Sequence, residues 1–206
     1  NHCYDIVRYQ SATPSKTGVF IELHNNNFNP GAPPPYFINS ETWISAGPTG
    51  QNWVEVGLTN GAVAGGPMGY QAFWADYVAV ATVPYMEHAI DYMVPDGSTH
   101  SYQISRSATL NRWTIYKDRV ARATSRTMGW WQVGVIDVGA ELYSGSSSAF
   151  SHTFQMQVVT FDMNGNPGPL VASGYRIDHP CPTTPGCFNG YFNASSSQWN
   201  WNKQTG

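Results

Sequence analysis

Charged residues are scarce in this sequence: ten Lys and Arg and thirteen Asp and Glu amount to only 11% of its 206 residues. The basic residues are scattered except between Arg112 and Arg126, so no basic surface of the kind that binds nucleic acid is expected. Gly, Asn, Ser, Thr and Gln are plentiful, and neutral groups of this kind change little in charge when acid protonates carboxylates. The composition is therefore typical of an acidic or extracellular setting.

Long apolar runs are also lacking. No segment approaches the roughly twenty uninterrupted apolar residues of a membrane-spanning helix, so we expect no membrane partner. The chain begins at Asn1 rather than Met. That start is consistent with removal of an export signal or propeptide, and equally with a chain that simply begins there. We expect a secreted protein.

Cysteine is limited to Cys3, Cys181 and Cys187, which lie near the two ends of the chain. The last two enclose the turn-rich segment "PTTPG", so a disulfide between Cys181 and Cys187 is the favoured pairing in an oxidising compartment. Cys3 would then be left over. Pairing of Cys3 with either partner would instead tie the termini together, and the spacing does not choose between these options.

The motifs of several enzyme classes are absent. No Gly-x-Ser-x-Gly elbow occurs, and the "GAVAGGPMG" segment lacks the Lys and Ser or Thr of a phosphate-binding loop. The six histidines lack the His-Glu-x-x-His spacing of zinc peptidases, and there is no dense Asp and Asn calcium loop. We therefore expect no metal and no cofactor.

Helical periodicity is rare, whereas alternation at a period of two recurs along the whole chain. The best helix candidate is Asp118–Thr127, "DRVARATSRT", which could equally be a strand running into a basic loop. Runs such as "TGVFIEL", "WVEVGL" and "HTFQMQVVTF" are separated by clusters of Gly, Pro and Asn. This pattern predicts one all-β domain over residues 1–206, an antiparallel two-sheet β-sandwich of jelly-roll or concanavalin-like type. We expect a monomer with a substrate groove on one concave sheet.

Glutamate is rare in this sequence, so the functional role of each glutamate can be considered individually. The five are Glu22, Glu41, Glu55, Glu87 and Glu141. Glu41 and Glu87 stand beside turn signals and are interpreted as solvated loop residues. Glu22 shares a strand face with Phe20 and His24, which makes it a weak third candidate for function.

Glu55 lies at the centre of an otherwise apolar run, "NWVEVGL". Alternation places one set of side chains in the core, namely Val54, Val56 and Leu58. Glu55 then faces the other way, beside Trp53 and Gly57. A lone carboxylate on such a strand is most often the wet face of a sheet, so a functional interpretation requires a partner.

The run "WWQVGVIDVGAELY" offers that partner. If its inward set packs into the core, namely Gly134, Ile136, Val138, Ala140 and Leu142, then Asp137 and Glu141 face outward with Gly139 between them. Two distant strands would thus each present a carboxylate among aromatic residues and glycines. Gly57 and Gly139 would let a polymer backbone approach the sheet. Aromatic side chains could line its path, namely Trp53, Trp74, Tyr77 and Tyr143.

Two carboxyls that share a proton can divide the work of hydrolysis. Their pKa values are driven apart because the second charge would form in the field of the first. One carboxyl can take a proton from a water that attacks a carbonyl, while the other donates a proton to the carbonyl oxygen or the leaving group. A coupled pair titrates as a unit, so the sequence does not decide which residue is the base. It also identifies no oxyanion donor.

Two segments resemble motifs of the neprosin family. "WVEVGLTNG" followed by "YQAFWADY" resembles the family's "IEVGW"-like strand and aromatic "FTYWT"-like strand, and "VIDVGAELYS" resembles its "MIEWGGEV" segment. Neprosins are β-sandwich glutamic endopeptidases that are secreted as zymogens, are active in acid and include a member that cuts after proline. The resemblance implies that Glu55 and Glu141 are the catalytic pair of a shorter, bacterial-type relative with a polypeptide substrate. Asp137 matches an acidic position of the motif.

The chain departs from the family pattern at three motif positions. Leu58 and Val138 stand where the family has tryptophan, Ala140 replaces a glycine, and the cysteine-containing loop of plant members is absent. Two alternatives to a peptidase therefore stay open. A glycan-active jelly-roll hydrolase would also use paired carboxylates in an aromatic groove. A non-catalytic, lectin-like binding module would carry the same carboxylates as surface groups.

Overall fold

The structure is a computed structural model. It describes residues 2–26, 37–47, 52–95, 97–108, 111–143, 153–178, 189–193, 195 and 198–202. Every named element in this part of the chain is a β-strand, as the sequence predicts. Across these described ranges, no helix is long and apolar enough to cross a membrane.

The described residues form fifteen strands. They are β1 (His2–Gln10), β2 (Gly18–Asn26), β3 (Phe37–Ser45), β4 (Asn52–Gly61), β5 (Gly69–Val78), β6 (Tyr85–Asp91), β7 (Thr99–Arg106), β8 (Trp113–Lys117), β9 (Val120–Thr124), β10 (Val135–Tyr143), β11 (Thr153–Phe161), β12 (Pro167–Pro169), β13 (Gly174–Asp178), β14 (Asn189–Asn193) and β15 (Gln198–Asn202).

The strands form two antiparallel sheets. The seven-stranded sheet has the order β13-β1-β10-β3-β4-β5-β6. The eight-stranded sheet has the order β14-β15-β11-β2-β7-β8-β9, with β12 paired to β11. Two packed antiparallel sheets with an apolar core between them make a β-sandwich, which confirms the predicted fold class. Neighbouring strands in each sheet often come from distant parts of the chain, so the topology brings β10 beside β3.

The core lies between the sheets and contains the apolar sets predicted from alternation. Val54, Val56 and Leu58 of β4 are 0–1% exposed. The corresponding set of β10 is also buried in this core, namely Ile136, Val138, Ala140 and Leu142. Because side chains alternate along a strand, burial of these sets directs Glu55 and Glu141 to the opposite face of the seven-stranded sheet.

Of the two interpretations of Asp118–Thr127, helix or strand, the structure shows the strand, which is β9. Lys117 of β8 pairs with Val120 of β9, and the hairpin loop between them consists of Asp118 and Arg119. Both loop residues have positive φ, 51° and 64°, as the two-residue turn of a tight hairpin requires. A local composition compatible with a helix is overridden here by pairing with β8, whose alternate residues Trp113 and Ile115 are fully buried.

The cysteine predictions lie outside the described structure. Cys181 and Cys187 are not among the described residues, and of Cys3 only its backbone position in β1 is described.

Candidate active site

Glu55 and Glu141 lie on the same face of one sheet, with a single strand between them. Strand β3 pairs with β10 on one side and with β4 on the other. In this register Glu141 is opposite Asn39, and Glu55 is opposite Trp43. The two residues are therefore diagonal to each other across β3: at the backbone they are two strand spacings, roughly 10 Å, apart across the sheet and four residues, roughly 13 Å, apart along it.

Both side chains line one pocket of about 580 Å³. Its walls are formed by Tyr4, Phe37, Asn39, Trp43, Trp53, Glu55, Ala62, Gly65, Tyr85, Glu87 and Glu141. Glu55 is 4% exposed and Glu141 is 8% exposed. These values are too low for carboxylates on an ordinary wet sheet face, so the pocket holds both groups away from bulk water.

Glu41 is a third carboxylate at this site, and its interpretation as a solvated loop residue is wrong. It lies at the centre of β3, directly opposite Gly57 on β4 and Gly139 on β10, and it is 0% exposed. Asn39 Nδ2 donates to both of its carboxylate oxygens at 3.3 Å. Glu41 and Glu141 also share a side-chain hydrogen bond. The candidate site thus contains a cluster of three glutamates.

The cluster shifts the acidity of its members. Burial raises the pKa of Glu55 well above its usual value, the charge of Glu141 raises it further, and a hydrogen bond from Trp43 acts in the opposite direction. Burial likewise raises the pKa of Glu41, and the charges of Glu55 and Glu141 add to that effect. Like charges in a dry pocket cannot all form, so the cluster retains protons at a pH where exposed carboxyls have lost theirs.

Tyr85 and Glu87 of β6 complete one wall of the pocket. The Tyr85 hydroxyl donates to Glu55 Oε1 at 3.4 Å and to Glu87 Oε1 at 3.3 Å. Burial and the charge of Glu55 raise the pKa of Tyr85, so the phenol stays protonated and remains a donor. Glu87 Oε2 accepts the Ala64 N–H at 2.8 Å. Glu87 is therefore a partly buried strand residue that anchors the β4–β5 connection, which corrects its interpretation as a solvated loop residue.

Aromatic side chains surround the carboxylates, and three of them are Trp53, Tyr77 and Tyr143 of the sequence-based list. Trp53 stacks on Tyr77 with ring centroids 5.7 Å apart, and it also contacts Tyr85 at 5.8 Å. At the other end of the pocket, Tyr143 packs on Phe37 at 5.7 Å. Tyr143 and Tyr77 thus lie on the groove face and support rings that line the pocket.

The prediction for Trp74 is wrong. Trp74 is opposite Val56, a core residue, and it belongs to the buried cluster between the sheets. Its ring stacks on His88 with centroids 4.3 Å apart. Alternation along β5 explains the difference, because Phe73, Ala75 and Tyr77 face the groove while Trp74 faces the core.

The two predicted glycines lie on the groove face. The space beside each is filled by other atoms of the protein rather than left open for a substrate backbone. A Cβ added to Gly57 would lie 2.6 Å from Glu41 Cβ. A Cβ added to Gly139 would lie 2.9 Å from Ile6 Cα and closer still to the Asp5 carbonyl oxygen. Gly57 therefore makes room for the buried Glu41, and Gly139 allows β1 to approach β10.

Asp137 lies further along the same face, in a second pocket of about 250 Å³ that shares Tyr4, Trp43 and Trp53 with the first. Arg8 Nε donates to Asp137 Oδ1 at 2.7 Å and Arg8 Nη2 donates to Oδ2 at 2.6 Å. This bidentate ion pair bridges β1 and β10 and forms a polar end to the groove. Glu22, the weak third candidate, is on β2 in the other sheet and lines a separate pocket.

The described ranges contain no cluster of three or more His, Cys, Asp or Glu arranged to hold a metal ion. What the arrangement can do is move protons. Two carboxyls and a phenol donor line one pocket of about 580 Å³ beside aromatic surfaces, an arrangement that acid–base hydrolysis through an activated water can use.

Solved structures with the same architecture include peptidases. Scytalido-glutamic peptidase, in a crystal structure with a peptide-based transition-state analogue, matches with a TM-score of 0.59 and 11% sequence identity over 99% of this chain and 98% of its own. The chain has a glutamic-peptidase-like fold. SCP-B, a member of the eqolisin family of peptidases in a complex with the tripeptide Ala-Ile-His, gives a TM-score of 0.56 and 9% identity over the same shares. No protein-family model and no curated protein matches the sequence.

Within this glutamic-peptidase-like fold, sequence reasoning missed Glu41, Asn39, Trp43 and Tyr85. A signal for the first three was present, since Phe37, Asn39, Glu41 and Trp43 alternate in "FINSETWIS". The inward residues of that strand include Ser40 and Thr42. Polar residues on both faces hide the alternation, which explains why the sequence alone favours a loop position for Glu41.

Proposed function

We propose that this protein is a secreted, acid-active glutamic endopeptidase in which Glu55 and Glu141 activate water against a peptide bond. One observation carries the proposal: two glutamates from distant strands line the same pocket, and the charge of Glu141 raises the pKa of Glu55. Acid–base hydrolysis requires two neighbouring groups with different pKa values, one to act as acid and one as base. The glutamic-peptidase-like fold and the neprosin-like motifs around both residues support the same activity.

In the proposed reaction, water bound between the two carboxyls attacks the peptide carbonyl carbon. The ionised glutamate takes one proton of that water, and the protonated glutamate gives its proton to the carbonyl oxygen, forming a tetrahedral diol. The C–N bond then breaks as a hydroxyl proton returns to one carboxylate and the leaving nitrogen takes the proton held by the other. The products are a carboxylic acid and an amine, and the pair regains its starting proton.

The pocket walls provide contacts for an extended polypeptide. Trp43 and Trp53 separate the two pockets and line both, so a chain crossing β3 would place successive side chains on either side of them. Cleavage after proline is part of the proposal through the neprosin resemblance.

We further propose that the protein acts as a monomer and binds neither nucleic acid nor membrane. Its low content of charged groups suits work in an acidic extracellular medium.

The test compares the wild type with Glu55→Gln and Glu141→Gln on a denatured protein and on a β-glucan, from about pH 2 to 8. We expect proteolysis on the acid side, lost in both variants while their circular dichroism and unfolding midpoints stay near those of the wild type. Glu22→Gln, at an exposed position of the other sheet, is the control for loss of one carboxylate. Peptides with Pro or Ala before the cleaved bond test the proline preference.

Sugar release by the wild type, abolished by the same substitutions, would replace the peptidase proposal with a glycan hydrolase. No product from either substrate would favour the binding module.

A further inference from the structure

Glu41 occupies the midpoint between the proposed catalytic residues. It is the diagonal neighbour of Glu141 across the β3–β10 pairing and of Glu55 across the β3–β4 pairing. It is fully buried and does not line the pocket that the other two share. Glu41 therefore lies beneath the pocket floor, where it touches the catalytic machinery without direct access to a substrate.

The groups around Glu41 favour a neutral carboxyl. On the neighbouring strands it faces Glu141 and Asp137 of β10 and Glu55 of β4, with Glu87 and Tyr85 beyond them on β6. Burial, the charges of Glu55 and Glu141 and the hydrogen bond with Glu141 raise the pKa of Glu41, and the hydrogen bond from Asn39 acts in the opposite direction. None of these is a cation, since Arg8 on this face pairs with Asp137. An ionised carboxylate here would be a buried charge without a counter-ion.

The hydrogen bond between Glu41 and Glu141 requires one proton. Two carboxylates have no donor between them, so one of the two must carry an O–H. Glu41 is the more deeply buried member, at 0% exposure against 8% for Glu141. The proton belongs on Glu41, because the buried group loses more hydration on ionising.

We infer that Glu41 is a positioning residue that stays protonated and donates its O–H to Glu141, holding that carboxylate ionised and aimed into the pocket. This inference rests on the proposed function, in which Glu141 is one of the two reacting groups. It divides the roles of the pair: Glu141 is the base, and Glu55 keeps the catalytic proton. Asn39, the direct cross-strand neighbour of Glu141, also holds the Glu41 carboxyl through Nδ2.

The kinetic test compares Glu41→Leu with Glu41→Gln. Leucine fills similar space without a donor, so Glu141 loses the hydrogen bond that stabilises its ionised form. We expect kcat to fall roughly ten- to hundredfold, and the acid limb of the pH profile to move to higher pH. Glutamine keeps an N–H donor on the same stem, so it restores most of kcat and returns the acid limb toward the wild-type position. Glu22→Leu and Glu22→Gln are the matched controls on the other sheet.

Two kinetic outcomes would overturn the inference. If Glu41→Gln is as damaged as Glu41→Leu, Glu41 acts through an ionised or exchanging carboxyl. If Glu41→Leu lowers stability but leaves the pH profile in place, Glu41 only fills space.

A second measurement does not need activity. Carboxyl ¹³C NMR of the wild type, from about pH 4 to 7, should show Glu41 with the shift of a protonated acid and Glu141 with that of a carboxylate. The reverse assignment would refute the inference even if the leucine variant does not fold. If the wild type cleaves nothing, the proposed function fails, while the NMR titration still decides where the proton is held.

Discussion

Trp53 and Trp74 lie on neighbouring strands of the seven-stranded sheet but face opposite sides of it. Trp53 lines both pockets and stacks on Tyr77, whereas Trp74 packs into the core and stacks on His88. Two tryptophans from adjacent strands therefore belong to different parts of the molecule, and substitution should separate them.

We expect Trp53→Leu to raise KM for a peptide substrate roughly three- to tenfold, because a ring that contacts the bound chain is lost. Trp74→Leu should lower the free energy of unfolding by about 2–4 kcal/mol, because it leaves a core cavity, with KM near that of the wild type. Steady-state kinetics and urea unfolding of both variants measure the two effects. A KM change confined to Trp74→Leu would mean that the groove face is misassigned.

The stability of the protein should depend on pH through Glu41. Its pKa in the folded state lies well above the usual 4.5. Below about pH 4.5 the group is therefore protonated in both the folded and the unfolded chain, and it does not lower the free energy of unfolding. As pH rises, the unfolded chain releases this proton while the folded chain keeps it, and stability falls by up to about 1.4 kcal/mol per pH unit until the folded pKa is reached. Glutamine does not titrate, so Glu41→Gln should gain stability relative to the wild type as pH rises from about 4.5 to 7.

Urea unfolding at several pH values measures the difference in unfolding free energy between Glu41→Gln and the wild type. Glu22→Gln is the exposed control, and its difference from the wild type should not change with pH. Parallel curves for the wild type and Glu41→Gln would show that Glu41 titrates alike in the folded and unfolded chain.

Tyr85→Phe should change the pKa of Glu55 while keeping an aromatic ring in the pocket wall. The hydrogen bond from the phenol lowers the pKa of Glu55, so its removal raises that pKa and moves the limb of the pH profile that reports Glu55 to higher pH. We expect kcat/KM to fall roughly two- to tenfold, the range of one lost hydrogen bond. Tyr116→Phe, on β8 of the other sheet, is the matched control. An unshifted profile in Tyr85→Phe would mean that its hydroxyl does not act on Glu55.

Gly57→Ala should lower the free energy of unfolding because the added methyl would collide with Glu41. The added methyl would lie 2.6 Å from Glu41 Cβ and closer still to the Ser40 carbonyl oxygen, so β3 and β4 would have to separate. We expect a loss of about 1–3 kcal/mol in unfolding free energy, with a loss of activity as the cluster is displaced. Gly168→Ala is the control, since nothing lies within 4 Å of its added methyl, and it should change stability by less than about 0.5 kcal/mol. Equal stability of the two variants would show that Gly57 is not closely packed.

Alternation along single strands was enough to predict the sandwich, the buried sets around Val56 and Val138, and the outward direction of Glu55 and Glu141. These features depend on a period of two within one strand, which local sequence contains. Strand pairing over long sequence distances is not local, so the sequence showed neither that β3 lies between β4 and β10 nor that Glu41 fills the space left by Gly57. Tertiary structure alone decided which carboxylates share a pocket, because their burial and mutual repulsion arise only when distant strands are hydrogen-bonded side by side.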